Sequence, residues 1–114
     1  MSISALNAGL SGIQSNQRAL GISADNVAND LTTGYQPQRA VFQATAPVGS
    51  SVTASNPAPA LGATPPSGAA AAASGTNLPD EMVNQLTYQL GVEASAKVVK
   101  VSDATLGTLL NTLA

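Results

Sequence analysis

The strongest constraint in this chain is where its apolar side chains stand: two long patterned runs, one at each end, around a middle with almost nothing large to bury. In residues 3–31 they fall at Ile3, Leu6, Leu10, Ile13, Leu20, Ala24, Val27 and Leu31, stepping by three and four once Gln17 takes its slot. Such spacing marks one stripe of a helix that seeks a partner helix, with Gln17 as a polar residue that sets register. Gly34 is suited to end the helix in a left-handed turn, and Pro37 forbids its continuation.

The second run starts near Pro79, tolerated in a first turn, with Asn77 as the expected N-cap. Asp80 and Glu81 complement the positive end of the helix dipole. One row runs through Met82, Val92, Ala96, Val99, Leu106, Leu110 and Leu113, and a neighbouring one through Val83, Leu86, Leu90, Ala94, Val98, Val101 and Leu109. Two adjacent rows make an apolar surface wider than a single seam can cover. Gly9, Gly12, Gly21, Gly91 and Gly107 lie inside these two helices. At ~1 kcal/mol each relative to alanine they cost on the order of 5 kcal/mol, so packing rather than propensity must hold the helices.

Between the runs, residues 35–44 favour an extended segment through Val41 and Phe42. Residues 45–76 are rich in Pro, Ala, Ser and Gly and carry no charge, the composition of a flexible, disordered tether. The expected fold class is therefore all-α: two long terminal helices forming an antiparallel coiled-coil hairpin, joined by a short extended segment and a flexible linker. The expected organisation is 1–34 for the first helix and its turn, 35–44 extended, 45–76 linker, and 77–114 for the last helix.

Composition removes most other functions. Cysteine and histidine are both absent, which excludes thiolate nucleophiles, imidazole bases and the usual transition-metal ligands. The six carboxylates are spread along the helices, whereas acid–base catalysis needs two held together in a desolvated pocket. No Gly-rich phosphate loop is present. Neither enzyme activity, nor a cofactor, nor a small-molecule substrate is expected. The four basic residues, Arg18, Arg39, Lys97 and Lys100, form no cluster, so no nucleic-acid footprint appears. No window approaches the ~20 apolar residues of a membrane span, and residues 1–10 lack the basic start and apolar run of a cleavable signal.

Two segments also resemble a known family. Asp25-Asn26-Val27-Ala28-Asn29, followed by Gly34-Tyr35, is similar to the N-terminal signature of flagellar basal-body rod, hook and hook-associated proteins. Glu81-Met82-Val83-Asn84, Glu93-Ala94-Ser95-Ala96-Lys97-Val98 and Leu109-Leu110-Asn111 stand where that family's C-terminal signature stands. The middle holds no sequence for the β-rich outer domain of hook and distal-rod members, so the resemblance implies a short, proximal-rod-like member. It further implies a structural subunit that self-assembles through its terminal helices into a helical tube. Its partners would be itself, other axial proteins and the flagellar type III export apparatus. Its place would be the basal body, reached without a cleaved signal and without direct membrane insertion. The candidate assembly interface comprises Ile3, Leu6, Leu10, Ile13, Leu20, Val27 and Leu31 on the first helix, with Tyr35 beyond it. On the last helix it comprises Met82, Val83, Leu86, Leu90, Val98, Val99, Leu106, Leu109, Leu110 and Leu113. The alternative is a small type III-exported helical-hairpin partner that never polymerises.

Overall fold

A computed structural model of the chain describes residues 2–55 and 73–113. Its elements in chain order are α1 (Ser2–Ala28), β1 (Arg39–Ala44), β2 (Ser50–Ser55) and α2 (Leu78–Leu113). The fold is mostly helical with a small two-stranded sheet. The stretch 56–72 of the expected tether lies outside the described residues.

The helices run side by side in opposite directions. Gly9 of α1 faces Ser95 and Val99 of α2, Gly12 faces Ser95, Asn16 covers Gly91, and Ser23 and Asn26 reach Glu81. The α1 row that meets α2 is thus Gly9, Gly12, Asn16, Ala19, Ser23 and Asn26, one position before the apolar stripe. That stripe flanks the contact instead: Leu6, Ile13, Leu20 and Val27 are half-buried, while Ile3 and Leu10 are exposed. Small residues explain the choice. A Cβ built on Gly9 would lie 3.2 Å from the Ser95 carbonyl oxygen and 3.4 Å from the Val99 nitrogen, so the backbones approach closer than a leucine seam allows.

Leu31, expected to close the first helix, is 95% exposed and lies beyond it. The last turn is closed early because Asn29 Nδ2 donates to the Asp25 carbonyl at 2.9 Å and the Asn29 amide serves the same carbonyl. The chain then turns at residues 32–35, where the Tyr35 amide donates to the Thr32 carbonyl and Gly34 takes φ +72°. A positive φ at the third turn position is the reason for glycine there, so Gly34 serves this turn rather than the helix end.

β1 and β2 pair antiparallel, with Arg39 opposite Ser55 and Ala44 opposite Ser50. The expectation that residue 45 onward forms a tether fails for residues 50–55. Their composition offers little to bury, but strand β2 is held by its ladder to β1 and by polar bonds to α1. Ser15 Oγ donates to the Ser50 carbonyl at 2.7 Å, and the Ser50 amide donates to Ser11 Oγ at 3.2 Å. Gly49 passes so close that a Cβ there would meet Ser11 Oγ at 3.1 Å. The Phe42 ring tilts toward that of Tyr88, centroids 6.0 Å apart, tying β1 to α2.

Asn77 precedes α2, and its carbonyl accepts the Glu81 amide at 3.0 Å, so the expected start is within a residue. No helix among the described residues is long and apolar enough to cross a membrane. Since Gly9 lies beside Val99, Ser2 comes level with about Leu106, and α2 runs on past α1 for roughly seven residues, or about 10 Å. The body measures 77 × 25 × 13 Å.

Candidate functional site

Two features stand out: a closed polar node where the chain's two signature segments meet, and apolar rows left in the open. At the node, Asn26 is 1% exposed and uses all four of its hydrogen-bonding positions. Its Nδ2 donates to the Gln38 carbonyl at 2.7 Å and to Glu81 Oε1 at 2.8 Å. Its Oδ1 accepts the Gln38 amide at 2.8 Å and the Tyr35 hydroxyl at 3.1 Å. The side-chain amide therefore clamps the backbone of Gln38 from both sides.

Glu81, at the start of α2, is also buried. Its second oxygen accepts the Ser23 hydroxyl at 2.6 Å. The returning chain closes the node: Thr76 Oγ1 donates to the Asn26 carbonyl at 3.2 Å, and the Gly75 amide donates to the Tyr35 carbonyl at 2.9 Å. No buried side-chain nitrogen or oxygen among the described residues lacks a partner. A buried carboxylate is costly unless its oxygens are bonded; here both are. Beside the node lies a cleft of about 460 Å³, lined by Pro37, Arg39, Asp80, Asn84 and Tyr88 among others. Burial raises the pKa of the Tyr88 phenol, and the Glu81 charge adds to the rise.

What the node does chemically is to hold three segments together: the end of α1, the arm at residues 35–38 and the start of α2. The two asparagines of the N-terminal signature do different work: Asn29 caps the end of α1 locally, whereas Asn26 bonds a side chain 55 residues away. The signal that would have found it is that Asn26 and Glu81 each stand inside one of the two signatures.

Most of the sequence-derived interface residues lie in the open. Met82, Val83, Leu86, Leu90, Val98, Leu109, Leu110 and Leu113 on α2 are exposed, as is Val101 between them. Leu106 is half-buried, and a shallow groove on the same helix is lined by Val101, Ala104, Thr105, Thr108, Leu109 and Thr112. Two residues instead make internal contacts: Val99 sits against Gly9, and Tyr35 belongs to the node. The only fully buried apolar side chains among the described residues are Ala19, at 0% exposure, and Val52, at 3%.

Fold and site define a mostly helical protein whose two terminal segments are closed on one another by a polar clamp and keep their larger side chains outside. Residues 68–112, which take in nearly all of α2, match the family model described as flagellar basal body rod FlgEFG protein C-terminal. This supports the flagellar rod and hook family for the chain, and with it a structural role in the flagellar basal body. A comparison with curated proteins finds no match. The matched segment holds Glu81, and the node joins it to the N-terminal signature that holds Asn26.

Proposed function

We propose that this chain is an axial subunit of the rod class that polymerises through α1 and α2, packed as an antiparallel coiled-coil hairpin, into a helical tube with its own copies and other axial proteins. The observation that carries this reading is the contrast between a helix–helix seam built mainly of alanine, serine and glycine and an exposed exterior of Leu, Val, Ile and Met. Burying one such side chain fully contributes ~1.5–3 kcal/mol, so covering the rows on α2 is a substantial driving force for association. The stripe on α1 and the rows on α2 are different surfaces, so contact between them from copy to copy is heterologous and propagates rather than closing into a dimer. Export through the flagellar type III apparatus is part of this reading.

The test uses exposed positions only. Leu86→Asp, Leu90→Asp and Val101→Asp together leave the seam and node untouched, so the helical circular dichroism of the monomer is expected to persist. Wild-type chain is expected to form concentration-dependent oligomers in sedimentation velocity and tubes in electron micrographs, and the triple variant is expected to do neither. Wild-type chain that melts cooperatively and stays monomeric at millimolar concentration would instead favour an exported hairpin partner that never polymerises.

A further inference from the structure

We infer that Glu81 is a register lock: its carboxylate selects the observed axial offset between α1 and α2 over a neighbouring one that the small-residue seam would also accept. The seam itself discriminates poorly against a heptad slide in one direction, whereas a slide in the other also brings Tyr88 onto Gly12. Gly12 meets Ser95 in the observed offset. Sliding α2 by seven residues one way brings Gly12 to Ser102 and Ala19 to Ser95, small residues again, with Val98 under Asn16 as the one larger side chain. Besides the Phe42–Tyr88 ring pair that ties β1 to α2, two contacts between the helices themselves tell the offsets apart. One is Asn16 lying over Gly91, a matter of shape that rotation of a flexible side chain relieves.

The other is the node, and it is not relieved by rotation. Slid in the direction just described, Glu81 passes beyond the end of α1. Ser23 and Asn26 then lose their acceptor, and the bulk of Tyr88 moves in over them. Slid the opposite way, Glu81 comes to lie beside Ala19, the most buried side chain of α1, with neither Ser23 nor Asn26 in reach. An ionised carboxylate without donors is penalised far more than a misplaced methyl group. A single polar residue that fixes register in an otherwise permissive helix pair is a known use of buried polarity. Here the offset also sets how far α2 projects beyond α1.

The chain has no cysteine, so an introduced pair is the sole one. A Cβ built on Gly12 lies 3.2 Å from Ser95 Cβ, a few tenths of an ångström inside the ~3.5–4.5 Å a disulfide spans, so with a slight parting of the helices Gly12→Cys with Ser95→Cys reports the observed offset. Gly12→Cys with Ser102→Cys, or with Tyr88→Cys, reports the two slid offsets. With Glu81 intact, intramolecular oxidation is expected only for the 12–95 pair, read as a mobility shift on non-reducing gels. Glu81→Gln keeps an acceptor for Asn26 and is expected to behave likewise. Glu81→Leu is expected to raise a slid pair from background to a yield comparable with the 12–95 pair. Slid pairs that stay at background in Glu81→Leu, with helicity kept, would overturn the lock. Should Glu81→Leu lose its helicity, the combination Ser23→Ala, Asn26→Leu and Glu81→Leu removes the polar partners together. That variant is expected to remain helical with mixed offsets, and its unfolding would equally overturn the lock, since the node would then hold the fold rather than choose the offset.

Discussion

Asn26 shows how much one side chain can hold: it bonds the arm through both backbone groups of Gln38 and bonds α2 through Glu81. Asn26→Asp replaces the donor amide by a second carboxylate facing Glu81. The loss of two donors and the like-charge contact are expected to destabilise the monomer by on the order of 3 kcal/mol, measured as a lower urea midpoint. An unchanged midpoint would mean that the node is not formed in solution. Tyr88 offers a second reading of the same carboxylate. Burial first and the Glu81 charge second raise its pKa, so the folded chain favours the neutral phenol. The stability this lends is present in full below the ordinary tyrosine value of ~10 and is lost as pH rises through the higher folded value. In a Tyr35→Phe background, Glu81→Gln is expected to shift the phenolate absorbance midpoint down without removing the part due to burial. A midpoint that does not move would assign the whole rise to burial. None of this was legible from Asn26 alone, because a capping asparagine and a clamping asparagine look identical until the partner is known.

At the scale of elements, the glycines divide by what lies across from them. Gly9, Gly12 and Gly91 each face the opposite helix at less than ordinary contact distance, whereas Gly21 and Gly107 face open space. Gly12→Leu is expected to wedge the helices apart at a cost of ~1–3 kcal/mol. Gly107→Ala is expected to gain up to ~1 kcal/mol of helix stability, because only the propensity changes. Thermal melts of the two variants side by side check both signs, and equal effects would show that the close seam does not exist. Both helices were legible in the sequence, since periodicity over such lengths leaves little else. The facing row was not. Residues 3, 6, 10 and 13 and residues 9, 12, 16 and 19 share the same step and differ only in phase, and period alone cannot say which row looks inward. Strand β2 was hidden for a different reason. Ser50–Ser55 is held by long-range backbone pairing and serine hydroxyls, neither of which leaves a hydrophobic pattern to read.

For the whole molecule, a body only 25 × 13 Å in cross-section has scarcely any inside. Its cohesion rests on polar bonds and close backbones, while the larger apolar side chains stay outside. Where association buries that surface, apparent stability must depend on protein concentration by mass action. Tm is expected to climb as concentration is raised over two or more decades, and to stay flat in the Leu86→Asp, Leu90→Asp, Val101→Asp variant. The stretch of α2 that outruns α1 leads to one more consequence. A chain cut after Leu106 retains every contact of the node and the seam, yet lacks the projecting end. In the assembly proposed above, such a copy, mixed with full-length protein, would enter a growing tube by its intact flank and then offer the next arrival no foothold. It would act as a chain stopper, poisoning growth at ratios far below one to one.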